Sequence, residues 1–129
     1  MTPEDVRLWL EQAGFLKTYS NTSAIPLSSV WNVPISQDDI NRFSPFNLVS
    51  VQNTNTFCNT KIKFDGSATN YVFCPKSFEK NVNGRFFQNI VIENIDTVNE
   101  IAIGEVYVTI MKTIDELMSL KIKKELKLL

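Results

Sequence analysis

The segment Glu105–Met111 constrains the fold of this chain more than any other, because it alternates without a break. It reads E-V-Y-V-T-I-M, with β-branched apolar residues at every second position and other side chains between them. A period of two places one face of a strand in a core and the other face outside it. A second strand, Phe87–Glu93, precedes it across an Asn- and Asp-rich link, and two strands alone are not stable. The pair therefore predicts a larger antiparallel β structure.

Further strands are predicted upstream of this pair. The runs 48–53, 60–64 and 71–75 are short, rich in Val, Ile, Phe or Thr, and bounded by turn-forming residues, which is typical of strands. Two extended pieces, 25–27 and 30–35, contain proline, which cannot donate to a sheet ladder, so we assign them to an edge or a crossing connection. The pattern predicts a mainly β chain with an antiparallel two-sheet sandwich of six to eight strands over residues 25–112.

Two of these strands share a short internal repeat. The words V-S-V-Q-N-T at 49–54 and I-V-I-E-N-I at 90–95 both end a strand on Asn before a polar link and another strand. An Asn at that position suits a left-handed backbone or an Asx-turn at the rim of a sheet. A two-sheet sandwich can contain two copies of such a unit, one from each half of the chain, so the repeat favours this fold.

A helix is predicted at each end of this single domain of 129 residues. Residues 1–15 open with Thr-Pro-Glu-Asp, which supplies an N-cap, a proline in the first turn and acids at the positive end of the helix dipole. Residues 113–129 begin with a capping box and carry lysines between apolar residues. This amphipathic helix packs on its own sheet, or it docks on a partner subunit or a membrane surface. The interface hypothesis combines Trp31 with the apolar side of this helix: Leu117, Met118, Ile122, Leu126 and Leu129.

Charge and hydropathy limit the partners of the chain. With 13 basic and 14 acidic side chains the net charge is −1, so the whole chain has no electrostatic footprint for nucleic acid. No apolar run approaches the ~20 residues that cross a bilayer, and the N-terminus lacks the apolar region of a signal peptide. We therefore expect synthesis in the cytoplasm, no nucleic-acid partner and no small-molecule substrate.

Histidine is absent from the sequence. Its absence removes the usual catalytic triads, the commonest general base near neutral pH and most transition-metal ligation. We therefore expect no catalytic residues, no cofactor and no metal. An enzyme acting through Glu93, Asp96 and Glu105 is the third hypothesis in rank. The segment 93–100 is rich in oxygen ligands for Ca²⁺ but lacks the spacing of a known calcium loop, so polar turns are the favoured interpretation.

The two cysteines are candidates for a disulfide. If residues 65–67 form a hairpin loop, counting outward pairs Phe64 with Ala68 and sets Cys58 opposite Cys74, within disulfide reach. In a reducing cytosol the same residues stay thiols, as small side chains in the core or at the surface. Two thiols without further Cys or His do not hold zinc.

The words V-S-V-Q-N at 49–53, I-V-I-E-N at 90–94 and G-E-V-Y-V-T-I at 104–110 resemble strands of small β-sandwich proteins of virus particles. That group includes jelly-roll capsid, vertex and decoration proteins. The resemblance implies a structural role in a symmetric assembly, with contacts through sheet edges and termini and with no chemistry. The leading hypothesis is a homo-oligomeric assembly protein that docks on other structural proteins, with a virion as its setting. The alternative is a binding module for sugar or another surface ligand that uses Trp31, Tyr71 or Tyr107.

Overall fold

A computed structural model of the chain describes residues 5, 16–43, 46–65, 71–83 and 89–112. Within these residues it has eight strands and one helix. In chain order they are β1 (Leu16–Ser20), β2 (Val30–Asn32), α1 (Gln37–Phe43), β3 (Phe46–Asn53), β4 (Thr60–Phe64), β5 (Tyr71–Cys74), β6 (Phe78–Asn83), β7 (Ile90–Asn94) and β8 (Val106–Lys112).

The strands form two four-stranded sheets. The first sheet has the order β1-β8-β3-β6 and the second has the order β2-β7-β4-β5, and every neighbouring pair is antiparallel. The predicted mainly β chain with antiparallel sheets is therefore confirmed. The hydrogen-bonded pairs include β4 with β5, β3 with β6, β2 with β7, and β1 with β8. The chain thus runs out and back like one long hairpin whose successive strand pairs alternate between the two sheets.

The core lies where the alternation in β8 predicts it. The inward positions of β8 are completely buried: Val106, Val108 and Ile110. Three inward positions of β4 and β7 in the second sheet are completely buried in the same cluster: Ile62, Ile90 and Ile92. Each such side chain gains about 1.5–3 kcal/mol on burial, which makes this cluster the main driving force for closing one sheet on the other.

The register of β4 and β5 differs from the register predicted for the cysteines. Thr60, not Cys58, lies opposite Cys74. The predicted strand register, which set Cys58 opposite Cys74, is therefore wrong by two residues. Both cysteines are free thiols, and both are completely buried. Burial raises the pKa of the Cys58 and Cys74 thiols, which keeps them protonated and unreactive at neutral pH.

Helix α1 begins at Gln37. Ser36 Oγ accepts a hydrogen bond from the backbone N of Asp39 at 3.1 Å, so Ser36 is the N-cap. Asp39 in turn accepts hydrogen bonds from Tyr19 Oη at 2.6 Å and from Lys17 Nζ at 2.8 Å. These bonds attach α1 to β1, and Phe43 enters the core beneath the helix.

The sandwich also begins earlier than predicted, because β1 precedes residue 25. The alternation of β1 is hidden in the sequence. Lys17 pairs with the core residue Ile110, but its side chain is exposed and reaches Asp39 of α1. The predicted helices at 1–15 and 113–129 lie outside the described residues, except for Asp5, which is helical.

Candidate functional site

Four loops meet at one end of the sandwich. They join β1 to β2 (21–29), β3 to β4 (54–59), β5 to β6 (75–77) and β7 to β8 (95–105). The antiparallel register places them together, since Asn53 at the end of β3 pairs with the starts of β6 and β8, and Asn94 at the end of β7 pairs with the start of β4. We call this region the loop end.

Asn53 closes the β3–β4 loop from inside. Its side-chain Nδ2 donates to Cys58 O at 2.8 Å, and its Oδ1 accepts the backbone N of Asn55 at 3.1 Å. Asn55 repeats the motif one step later, because its Oδ1 accepts the backbone N of Phe57 at 2.8 Å and of Cys58 at 2.7 Å. Two consecutive Asx-turns therefore hold this loop without help from a sheet ladder.

Asn94 closes the β7–β8 loop in the same way. Its Nδ2 donates to Asn99 O at 3.1 Å and its Oδ1 accepts the backbone N of Asp96 at 3.0 Å. Asp96 Oδ1 then accepts the backbone N of Asn99 and of Val98, both at 2.7 Å. These backbone bonds hold the pKa of Asp96 below its usual value. The internal repeat seen in the sequence is thus a repeated hydrogen-bonded loop, one from each sheet.

The β1–β2 and β7–β8 loops are joined to each other. Ile25 and Ile101 form an antiparallel bridge with hydrogen bonds of 2.8 and 3.0 Å. Asn21 is buried beside them, and its side chain donates to Ala102 O at 2.9 Å and accepts the backbone N of Val106 at 3.1 Å. These bonds replace a sheet ladder where the strands have ended.

The β3–β4 loop connects this pair of loops to the rest of the loop end. Thr54 N donates to Glu105 O at 2.8 Å, and Asn55 Nδ2 donates to Glu105 Oε1 at 3.0 Å. On the other side Ser77 N, in the β5–β6 loop, donates to Asn55 O at 2.9 Å. All four loops therefore belong to one hydrogen-bonded unit.

Two matching β-turns carry apolar side chains outward from this unit. One runs Pro26–Ser29 and the other Ala102–Glu105, each closed by a bond from the fourth residue to the first. The third residue has positive φ in both, 53° at Ser28 and 74° at Gly104, a geometry that glycine adopts freely and that serine tolerates at some cost. The second residue of each turn, Leu27 or Ile103, is pushed into solvent.

Four apolar side chains are exposed at the loop end. Leu27 is 49% exposed, Phe57 64%, Val98 77% and Ile103 67%. We call these four residues the apolar rim. Single exposed apolar residues are ordinary, but several on one rigid surface are typical of an interaction site. Among the described residues, the apolar rim combines exposed apolar side chains with loops that are joined by hydrogen bonds, which suits a protein contact.

A second surface lies on the outer face of the first sheet. It is a shallow groove of about 420 Å³ between polar side chains. The lining residues are Thr18, Ser50, Gln52, Glu79, Tyr107 and Thr109.

The aromatic residues predicted to bind a ligand have different surroundings. Trp31 is half-buried and packs against the core from β2, as a residue that plugs the end of a core would. Tyr71 is exposed on the outer face of the second sheet, with Lys61 Nζ 4.4 Å from its ring centre. Only Tyr107 of these three lines the groove.

Each carboxylate of the enzyme hypothesis already has an ion-pair or hydrogen-bond partner. Glu93 pairs with Lys63 Nζ at 2.9 Å on the outer face of the second sheet. Asp96 caps its own loop, and Glu105 Oε1 accepts bonds from Asn55 and from the backbone N of Ala102 at 2.7 Å. None of the three lines the groove.

The predicted interface residues of the C-terminal helix, Leu117, Met118, Ile122, Leu126 and Leu129, lie outside the described residues. Across the described ranges no three residues among Cys, Asp and Glu come together as a metal site would require. The same part of the chain contains no helix long and apolar enough to span a membrane. No protein-family model, curated protein or solved structure matches this chain.

Proposed function

We propose that the protein is a non-enzymatic assembly protein, which associates with further copies of itself through the apolar rim. Its neighbours would include other structural proteins, with a virion as the setting. The observation that carries this proposal is the exposure of Leu27, Phe57, Val98 and Ile103 on loops whose backbone is held by internal hydrogen bonds. A surface that is already ordered loses little conformational entropy when a partner covers it.

The size of the apolar rim favours a repeated contact over a tight dimer. Burying these partly exposed side chains contributes about 1–2 kcal/mol each, or about 4–8 kcal/mol for the four. Association costs about 4–15 kcal/mol in translational and rotational freedom. One rim contact is therefore weak, and it becomes stable where several contacts are made in a closed symmetric assembly.

We also propose that the sandwich is a jelly roll. Eight strands, two four-stranded sheets and a chain that returns along itself pair by pair support this assignment. This strand connectivity agrees with the resemblance to small virion proteins, which include jelly rolls. It carries no independent weight for function, because the same fold supports many activities.

The test is the concentration dependence of mass in sedimentation velocity and light scattering. The double variant Phe57→Ser with Val98→Ser removes two rim side chains. The matched control, Phe73→Ser with Val30→Ser, removes the same residue types from exposed positions on the outer face of the second sheet. We expect the wild type and the control to gain mass with concentration and the rim variant to stay monomeric.

Two results would contradict the proposal. The first is a wild-type protein that stays monomeric at millimolar concentration. The second is equal loss of association in the rim variant and in the control, which would indicate general surface stickiness. Thermal unfolding of all three proteins checks that each is folded, since substitutions at exposed positions usually change stability by less than about 0.5 kcal/mol.

A further inference from the structure

The groove on the outer face of the first sheet is lined mainly by uncharged polar side chains, whereas the rim is apolar. The register aligns Tyr107, Gln52 and Glu79 side by side on β8, β3 and β6. Two residues further along the strands, the next row on the same face holds Thr18, Thr109 and Ser50. A row of three strands spans about 10 Å, so an aromatic ring, an amide and a carboxylate stand within the length of one small ligand.

The groove continues into a second depression. The first part, of about 420 Å³, contains Tyr107, and the second, of about 380 Å³, contains Phe78. Gln52 and Glu79 line both parts. Tyr107 lies on the same face as this amide and carboxylate. Phe78 pairs with the buried Asn53 and therefore belongs to the other side of β6, but it is 59% exposed at this edge of the sheet and lines the second depression. Each part lies within the size range of small-molecule sites.

The polar groups of the groove are partly oriented and partly available. Ser50 Oγ donates to Glu79 Oε1 at 2.7 Å, and the hydroxyls of Thr18 and Thr109 are 3.0 Å apart. The carboxamide of Gln52 makes no hydrogen bond within the described residues, and it offers two donors and one acceptor to a ligand. The hydrogen bonds of Ser50 with Glu79 and of Thr18 with Thr109 orient those side chains. The Gln52 amide can therefore bind a ligand without breaking either bond.

We propose that this groove binds a neutral oligosaccharide. A sugar ring has an apolar face that stacks on an aromatic ring and hydroxyls that both donate and accept hydrogen bonds, which fits Tyr107 beside Gln52 and Glu79. This site is separate from the apolar rim, so the inference does not depend on the proposed self-association.

The charges of the groove select against other ligands. No Lys or Arg is among the residues that line either depression, and Glu79 repels anions. Lys80 pairs with Val51 in the register and therefore projects from the opposite side of β6. A phosphorylated, sulfated or sialylated ligand would meet no cation among the described residues that line the groove. The face is also too polar for the centre of a protein interface.

The test begins with the full-length protein, biotinylated and displayed on streptavidin, on an array of neutral and acidic glycans. The best neutral glycan is then titrated by calorimetry and mapped by amide chemical shifts. We expect binding to a neutral oligosaccharide, with shift changes at Ser50, Gln52 and Tyr107 and not at Lys61 or Tyr71 on the opposite sheet.

Variants distinguish the groove from other surfaces. Tyr107→Ala and Gln52→Ala are each expected to weaken binding by about 3- to 10-fold, while Tyr107→Phe keeps the ring and retains most of the affinity. Tyr71→Ala, an exposed tyrosine on the other sheet, serves as the matched control and leaves the affinity unchanged. Because Gln52 is exposed, its replacement tests the groove even if Tyr107→Ala fails to fold.

Three outcomes would overturn the inference. They are the absence of binding to every neutral glycan on the array, a preference for acidic glycans, and an affinity unchanged by both Tyr107→Ala and Gln52→Ala. Loss of glycan binding in the rim variant would also count against it, since the two surfaces are independent.

Discussion

Asn53 and Asn94 occupy equivalent positions in the two sheets. Each is the last residue of its strand, and each donates from its carboxamide to the carbonyl five residues later, at 2.8 Å and 3.1 Å. Each also accepts the backbone N two residues later. The exposed ends of these loops, Phe57 and Val98, are thus held by the same arrangement of hydrogen bonds, and the order of this part of the apolar rim depends on two buried amides.

Replacing Asn94 should therefore destabilise the whole loop end. Its side chain is completely buried and also donates to Ile25 O and Pro26 O, both at 3.2 Å. Asn94→Ala leaves three carbonyls and one backbone N–H without that partner in a buried site. We expect a loss of about 2–4 kcal/mol in the free energy of unfolding, measured by urea denaturation.

The matched control is Asn32→Ala, because Asn32 is exposed on the edge strand β2. Its replacement should change the free energy of unfolding by less than about 0.5 kcal/mol. Similar losses at the two positions would show that the buried network is not what stabilises the loop end.

Local patterns predicted this fold well where the chain alternates or repeats. The alternation of β8 placed Val106, Val108 and Ile110 in the core, and the repeated Asn at 53 and 94 correctly indicated loops at the rim of each sheet. Such signals are carried by neighbours in sequence, which is why they can be read without a structure.

Long-range pairing was less predictable. The register of β4 with β5 pairs Lys63 with Tyr71 and Thr60 with Cys74, which differs by two residues from the register that was counted outward from residues 65–67. Strand β1 was not predicted, because Lys17 breaks its alternation and only the contact with Asp39 explains the lysine. These features depend on residues far apart in sequence.

The candidate site was predicted only in part. The alternative hypothesis named Trp31, Tyr71 or Tyr107 as a ligand contact, and of these three Tyr107 lines the groove. The apolar rim was missed because Leu27, Phe57, Val98 and Ile103 stand singly in polar loops, with no periodicity to connect them. The antiparallel register brings their loops to one end of the sandwich, and hydrogen bonds between the loops join them there.

The C-terminal segment 113–129 remains a predicted contact element. Strand β8 ends at Lys112, so a deletion of 113–129 leaves every described strand pair in place. We expect the shortened protein to retain its far-UV circular dichroism of β structure and to show a lower oligomeric mass in light scattering, because the apolar side of the segment is removed.

Paired substitutions separate the apolar side from the rest of that segment. Leu117→Ser with Leu126→Ser should reduce the mass as the deletion does, whereas Lys121→Ser with Lys123→Ser should not. If the deletion does not change the oligomeric mass, this segment is not an assembly contact. The apolar rim would then be the remaining proposed contact.

The bonds between Asp39, Lys17 and Tyr19 make the attachment of α1 sensitive to acid. Burial by itself would raise the pKa of Asp39, but the hydrogen bonds from Lys17 and Tyr19 outweigh burial and hold it below its ordinary 3.8. Burial, together with the hydrogen bond to Asp39, raises the pKa of Tyr19, which therefore stays protonated as the donor. The ionised form of Asp39 is the form that the fold stabilises.

A depressed pKa in the folded state gives a definite direction to the pH dependence. The stability due to Asp39 is fully present above about pH 4, where the unfolded chain is ionised, and is lost as the pH falls through the lower folded value. Asp39→Asn should therefore cost about 1–2 kcal/mol at pH 7, a figure reduced because Lys17 is 46% exposed. The difference between the two proteins should narrow steadily from pH 4 to pH 2 in urea denaturation.

Asp38→Asn is the matched control, since it removes the same charge from the neighbouring, exposed residue of the same helical turn. Both variants lose one negative charge, so a general effect of net charge would appear equally in the two. Only loss of the bonds to Lys17 and Tyr19 is specific to Asp39→Asn. A constant difference between wild type and Asp39→Asn from pH 7 to pH 2 would mean that these bonds do not favour the ionised carboxylate. α1 would then be held by the packing of Phe43 and Ile40 alone.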